Sequence, residues 1–336
     1  MIYSDEPFNG KTILITGGAG FIGSNLAFYF QRHYPDAKIV VLDLFRNNET
    51  FDNGNLKSFG HFKNLLGFTG EILCADLNDP TLWERLRGYG FDYIFHQAAI
   101  SDTTMYDQTI MLQTNLNTFK YFIDLALERN IPLVYASSGA TYGDAEAPQT
   151  VGREAPQNVY GFSKLMMDHL TRDTLKRYPD AKIVGLRYFN VYGPREFYKN
   201  KTASMVLQLG HQILAGKTPK LFTGSDTIRR DFIYIDDVIQ ANIKAANPRQ
   251  SGIYNVGTGN ARSFQEIADI LQEQLGTDYG TDYIDNPYIG SYQFLTEADI
   301  APSIEGLGYT PQVTLEEGIR RYLPEIKHLF QTEVKR

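Results

Sequence analysis

Tyr160 and Lys164 stand four residues apart in the stretch YGFSK, a spacing that sets a phenol and an ammonium on one face of a helix. A phenol ordinarily titrates near ~10 and is a poor base at neutral pH. A neighbouring cation, reinforced by the positive charge of an oxidised nicotinamide, favours the phenolate and brings it toward the working range. Taken alone, Tyr-x-x-x-Lys more often marks an ordinary helix on which the Tyr packs and the Lys is solvated. Here it lies downstream of TGGAGFIG (Thr16 to Gly23), a glycine turn suited to a dinucleotide, and the two features together point to hydride chemistry.

Gly17, Gly20 and Gly23 directly follow the apolar run TILIT and open a helical stretch, SNLAFYFQRHY. Backbone of this kind turns tightly and approaches a pyrophosphate at the helix N-terminus. Asp43 ends the next run about twenty residues further on, where an acid accepts hydrogen bonds from an adenosine ribose and favours NAD. Arg46 and Lys63 follow it, and either cation could neutralise a ribose 2′-phosphate, so NAD and NADP both stay open. Asp76 ends the third run; it suits either the adenine amino group or the N-cap of a short helix through LNDP. Ser137 and Ser138 follow the fifth run, where a hydroxyl can bond a reacting sugar oxygen and pass a proton toward Tyr160. Adjacent serines at a strand end are also ordinary turn residues. Asn115, inside QTNLNTF, reads by itself as a polar residue of a helix.

Six apolar, β-branched runs must position these groups: Thr12 to Thr16, Lys38 to Asp43, Glu71 to Asp76, Tyr93 to Gln97, Pro132 to Ser137 and Ile183 to Tyr188. Near-continuous apolar strands alternating with helices predict a doubly wound parallel α/β sheet covered on both faces. Ligands of such sheets bind at the carboxyl ends of the strands, where each of these motifs falls. After Asn190 the pattern loosens into shorter strands and amphipathic helices, predicting a smaller, discontinuous α/β domain. The expected boundaries are 1–188 and 231–258 for the dinucleotide domain, and 189–230 and 259–336 for the second.

Composition narrows the class. The chain has 336 residues, 43% hydrophobic and 21% charged, enough to bury a sizeable core. Its net charge of −7 is spread along the chain with no basic run, which argues against a nucleic-acid partner. The one cysteine, Cys74, excludes an intramolecular disulfide, and its apolar surroundings predict a buried thiol. The six histidines lack metal-ligand spacing, and no metal is expected. No stretch approaches ~18 consecutive apolar residues and the N-terminus lacks signal-peptide character, so no membrane partner and a cytoplasmic location are expected.

The ordered set TGGAGFIG, FHQAA (Phe95 to Ala99), Asn115, YASSGATYG (Tyr135 to Gly143), YGFSK, RYFNVYGP (Arg187 to Pro194) and RRDFIYIDD (Arg229 to Asp237) resembles the extended short-chain dehydrogenase/reductases that act on nucleotide sugars. Within them, SDTTM (Ser101 to Met105) and RYFNVYGPREFYKNKTASMV resemble the ADP-glycero-manno-heptose 6-epimerase family. That resemblance implies a bound NADP, with NAD as the alternative, and an ADP-heptose-type nucleotide sugar held by the second domain. It implies oxidation at C6 of the heptose, reorientation of the ketone and return of the hydride to its other face. Tyr160 and Lys199 would be the acid/base groups for the two orientations, because one phenol cannot reach both poses at hydrogen-bond distance. Lys164 would tune Tyr160 and hold the nicotinamide ribose, and Ser138 would bind the reacting oxygen. A Lys199 between a cofactor cation and a sugar should have a depressed pKa.

The same resemblance implies cofactor contacts at Gly17, Gly20, Phe21, Ile22, Gly23, Asp43, Arg46, Lys63, Asp76, Leu77, Ala98 and Asn115, and substrate contacts at Ser101, Asn190, Phe222 and Arg230. Arg195, Lys199 and Arg230 would form a basic pocket for the diphosphate. Tyr288 and Tyr292 suit either sugar contacts or packing. Family members usually form symmetric homo-oligomers. The nearest rival is a UDP-hexose 4-epimerase, which needs Tyr160 but not Lys199. A 4,6-dehydratase is disfavoured because Ser138, Gly139 and Ala140 stand where that group has Thr, Asp and Glu. A non-catalytic dinucleotide sensor would leave Tyr160 without a role.

Overall fold

The computed structural model describes residues 1–3, 8–285 and 294–335. In chain order its main elements begin β1 (Thr12–Thr16), α1 (Phe21–His33), β2 (Lys38–Asp43), β3 (Glu71–Cys74), α2 (Pro80–Arg87), β4 (Tyr93–His96) and α3 (Gln108–Leu112). They continue α4 (Thr118–Arg129), β5 (Leu133–Ser138), α5 (Val159–Arg177), β6 (Ile183–Tyr188), β7 (Asn190–Tyr192), α6 (Met205–Leu214), β8 (Lys220–Phe222), β9 (Arg229–Tyr234) and α7 (Ile235–Ala245). The chain closes with β10 (Gly252–Val256), β11 (Ala261–Ser263), α8 (Phe264–Leu275), β12 (Asp282–Ile284), α9 (Ala301–Leu307) and α10 (Leu315–Leu329). Among the described residues no helix is long and apolar enough to cross a membrane.

All six predicted runs are strands, and β10 joins them in a seven-stranded parallel sheet of order β10-β6-β5-β4-β1-β2-β3. The fold is Rossmann-like and doubly wound. Alternate side chains feed two cores: Ile13, Ile15, Val41, Phe95 and Leu186 pack on one face, Leu14, Val40, Leu42, Ile94 and Leu133 on the other. The winding direction reverses between β1 and β4, which opens a crevice at the carboxyl ends of those two strands.

At the sheet edge the expectation for Cys74 fails. Leu73 is buried, but Ile72 and Cys74 point to the uncovered side of β3 and are exposed. An apolar run on an edge strand is covered on one face only.

The second half of the chain builds a three-stranded sheet, β11-β9-β7, and a β12-β8 pair. β9 therefore lies outside the large sheet, whereas α7 packs on α1 and β10 extends that sheet. Helices α6, α8 and α10 share one apolar cluster through Leu209, Leu271 and Ile326, continuous with the core under the large sheet.

A buried ionic cluster joins β5, β6, α5 and the loop that precedes Tyr160. Fully buried Arg187 donates from Nε to Asp168 at 2.8 Å and from Nη2 to Glu154 at 2.6 Å. Asp168 also accepts the hydroxyls of Tyr135 at 2.8 Å and Ser137 at 3.0 Å, and Glu154 also accepts from Arg172 at 2.7 Å. Burial pushes the Glu154 carboxyl up, but Arg187 and Arg172 outweigh it and hold the group at about 2 against an ordinary 4.5. A carboxyl depressed on folding stabilises the fold above its unfolded pKa and loses that contribution as pH falls through its folded one. Glu154→Gln is expected to lower stability by roughly 3–5 kcal/mol at neutral pH, because Arg187 is left buried with a partner missing. Urea titrations at pH 7 and in steps toward pH 2 should show the gap to the parent closing below about 4.5.

Candidate active site

The glycine turn leaves β1 and crosses the end of β4. Gly17 has φ +65°, and a Cβ there would lie 2.7 Å from the Ala98 nitrogen. A Cβ on Gly18 would strike Val41 at 2.6 Å, and one on Gly23 would lie 2.2 Å from the Gly17 carbonyl oxygen. The Ala98 amide donates to the Thr16 hydroxyl at 3.1 Å, which ties the two strand ends together. Helix α1 starts at Phe21, beside half-buried Ile22, with no side chain capping its N-terminus and no acid in its first turn. Open amide groups at the positive end of a helix, reached by backbone stripped of side chains, fit a pyrophosphate.

Asp43 is buried behind this turn. It accepts from the Ala19 amide at 2.9 Å and the Phe45 amide at 2.8 Å; burial raises its pKa, and those amides oppose the rise. Neither of the two cations that follow it in the sequence is free. Arg46 donates to the Tyr198 carbonyl oxygen, and Lys63 pairs with Glu333 at 2.6 Å. Leu77 is buried, whereas exposed Asp76 closes a turn with Asn78 at 2.8 Å. The N-cap of α2 is Asp79, so the capping alternative for Asp76 is corrected.

On α5, capped by Asn158, the Tyr160 phenol meets the Ser138 hydroxyl. Burial pushes the phenol up, with Ser138 opposing. The expected lowering by Lys164 is not what the protein by itself produces. Lys164 is buried, donates to the Ala136 carbonyl oxygen at 2.6 Å and is brought down to about 8 by burial, with Asp168 opposing. Its amine faces the backbone of β5, and desolvation is the largest influence on both groups.

Asn115 is not an ordinary helix residue. It sits in a π turn, Gln113–Asn117, fully buried, accepting from the Ile100 amide at 2.8 Å and donating to the Ile100 carbonyl at 2.9 Å and the Ser163 hydroxyl at 3.0 Å. It therefore pins the chain after β4 to the helix of Tyr160. Ser137 is buried with its hydroxyl turned onto Asp168, while Ser101 is exposed just beyond Ile100.

Lys199 comes from the loop between β7 and α6. Its amine stands 5.5 Å from the centre of the Phe21 ring, at the start of α1, and among the described residues its side chain has no hydrogen-bond or ion-pair partner. Burial lowers its pKa, with Glu196 opposing, which is the direction expected for an amine exchanging a proton near neutrality. Asn190 is exposed at the start of β7, Phe222 is half-buried in β8, and Arg230 is buried in β9 with its guanidinium 5.9 Å from the Phe264 ring centre. The Arg195 guanidinium stacks 3.9 Å from the Phe28 ring centre and donates to the Asn64 carbonyl oxygen, so it is already engaged within the protein. Tyr288 and Tyr292 lie outside the described residues. Sequence reasoning missed Glu196, Tyr198 and His61; the last two stack with ring centres 3.7 Å apart beside Arg46. Among the described residues no group of three or more His, Cys, Asp or Glu could hold a metal ion.

Residues 13–257 match a family model described as NAD dependent epimerase/dehydratase. Among solved structures the chain is similar to ADP-L-glycero-D-manno-heptose-6-epimerase of Helicobacter pylori, with 52% identity over 97% of this chain and 99% of that one and a TM-score of 0.89. It is also similar to UDP-glucose 4-epimerase of Thermotoga maritima with UDP-glucose, at 26% identity over 94% and 99% of the two chains and a TM-score of 0.82. A UDP-glucuronic acid 4-epimerase of Bacillus cereus, in complex with UDP-glucuronic acid and NAD, is 25% identical over 95% and 99%, with a TM-score of 0.79.

The geometry at Gly17 generates a direct test. Gly17→Ala places a Cβ against the Ala98 backbone in a left-handed conformation. Titration with reduced dinucleotide, followed by its fluorescence, should show affinity falling by about 10-fold or more, the equivalent of roughly 1.4 kcal/mol. Undiminished affinity would remove the glycine turn from the dinucleotide site.

Proposed function

The chain belongs to the NAD dependent epimerase/dehydratase family, an extended short-chain dehydrogenase/reductase, and from that premise we propose that it inverts C6 of an ADP-glycero-manno-heptose. The observation that carries this reading is the Lys199 amine, which among the described residues has no hydrogen-bond or ion-pair partner and is held over Phe21 at the mouth of the glycine turn. A 4-epimerase acting through one phenol has no use for such a group. The similarity to the Helicobacter pylori 6-epimerase over nearly the whole of both chains supports the same substrate class.

A dinucleotide bound here supplies the acceptor and donor of hydride. Gly17, Gly20, Phe21, Ile22 and Gly23 would hold its pyrophosphate; Asp43, Arg46 and Lys63 its adenosine ribose; Asp76 and Leu77 its adenine. Ala98, Tyr160 and Lys164 would lie along the nicotinamide side, with Asn115 holding that wall in place. Ser138 is a hydrogen-bond partner for the reacting oxygen and already meets the Tyr160 phenol. A phenol pushed up by burial keeps its proton until a positive charge enters beside it, so Tyr160 is poised to give a proton in one state and take one in the other. Lys199, lowered by the same desolvation, would exchange a proton with the oxygen in the second pose. Ser101, Asn190, Phe222 and Arg230 remain the proposed contacts of the nucleotide sugar.

For the cofactor we favour NADP, because Arg46 and Lys63 follow Asp43 in the chain and a ribose phosphate can replace Glu333 as the partner of Lys63. Lys63→Ala is expected to weaken NADP on the order of 10-fold and NAD less than about 2-fold, since a charge-assisted hydrogen bond is worth roughly 1.5–3 kcal/mol. Equal losses for both dinucleotides would instead point to NAD.

Proton NMR of ADP-heptose incubated with the protein and no added reductant should show the C6-inverted product. Tyr160→Phe and Lys199→Met are each expected to cost on the order of 10²–10⁴-fold in kcat, the range of a positioned acid or base. Full epimerisation by Lys199→Met would overturn the two-base reading, and full activity of Tyr160→Phe would leave a non-catalytic role.

A further inference from the structure

The loop between β7 and α6 is held by a carboxylate with no obvious surface role. Glu196 is completely buried, and among the described residues it makes no ion pair. The residue before it, Arg195, and the residue after Lys199, Asn200, both have positive φ, +75° and +54°. Conformations of that kind cost a non-glycine residue on the order of 1–3 kcal/mol and persist where the surroundings over-determine them. The Glu196 carboxylate supplies that determination. Oε1 accepts from the Gly193 amide at 3.2 Å and from the Ser204 hydroxyl at 2.7 Å, and Oε2 accepts from the Ser204 amide at 2.6 Å. One side chain thereby ties together the two ends of the loop. Within it, the Lys199 amide donates to the Glu196 carbonyl at 2.9 Å, closing the turn that aims the Lys199 side chain over Phe21.

Because the Lys199 amine has no hydrogen-bond or ion-pair partner of its own among the described residues, its place over the Phe21 ring is set chiefly by this loop. We propose that Glu196 is a positioning residue: by bridging Gly193 and Ser204 it holds the Lys199 amine at the mouth of the glycine turn, where it acts on the sugar. The inference rests on the reading of Lys199 as the second acid/base group. Its carboxylate is spent on Gly193 and Ser204, so its effect on the reaction passes through Lys199.

The test is a double-mutant cycle on the full-length protein. Glu196→Gln keeps the volume but puts an amide nitrogen, which cannot accept, where one carboxylate oxygen accepted. Misplacing a reacting group by about 1 Å costs on the order of 10²-fold in rate. Glu196→Gln should therefore lower kcat about that much while KM for the nucleotide sugar and dinucleotide affinity stay within about 3-fold. In a Lys199→Met background the same substitution should leave the residual kcat unchanged. Ser204→Ala, which removes one of the three bonds, should lower kcat less and show the same dependence on Lys199; it carries the test if Glu196→Gln does not fold. The inference is overturned if these substitutions slow the Lys199→Met variant by the factor they impose on the parent, or if they leave the parent's kcat untouched. Full activity of Lys199→Met alone overturns the two-base reading itself, and Glu196's role with it, and is seen without any change at 196.

Discussion

Close approach of the glycine turn to the neighbouring strands β2 and β4 is the constraint on which the rest of this site depends. Gly17 lies against Ala98, Gly18 against Val41 and Gly23 against Gly17, each nearer than a side chain would permit. That contact brings the start of α1 onto the carboxyl edge of the sheet, where the winding direction reverses. Its uncapped amides then face the crevice, and Phe21, its first residue, becomes the surface on which Lys199 rests. The open start of α1 and the proposed acid/base group, Lys199, thus meet because three positions carry no side chain.

Burial then sets the chemistry of the groups gathered there. It pushes the Tyr160 phenol up and brings both amines, Lys164 and Lys199, down. Counter-charges temper it locally, Asp168 for Lys164 and Glu196 for Lys199. Desolvation penalises the charged form of each group, so an amine and a phenol move in opposite directions in the same dry setting. A site built in this way favours proton exchange without net charge accumulation, as transient oxidation and re-reduction of one carbon requires.

Several features were legible beforehand because they follow from local pattern. The six strands, the helix after the glycines and the shared face of Tyr160 and Lys164 all depend on short-range periodicity. What failed depended on neighbours distant in the chain. Cys74 is exposed because β3 is the edge strand of the described sheet and is covered on one face only, and Ser137 is turned inward because Asp168 and Arg187 wait there. Arg195 stacks on Phe28 of α1, and Asn115 proved to be a buried clasp between Ile100 and Ser163.

The sequence by itself determined which chemistry this protein is equipped for: a glycine turn for a dinucleotide, a phenol beside an amine on one helix, and a lysine in the loop after GPRE. Only the tertiary structure decided how those groups stand. Burial is a property of the assembled layers, so the direction in which Tyr160 and Lys164 are shifted could not be read from their spacing. The partner of a buried polar group is equally a matter of assembly. A carboxylate in GPRE reads as one more surface charge until the fold closes Gly193 and Ser204 around it, since a buried acceptor must find its donors wherever the packed chain brings them.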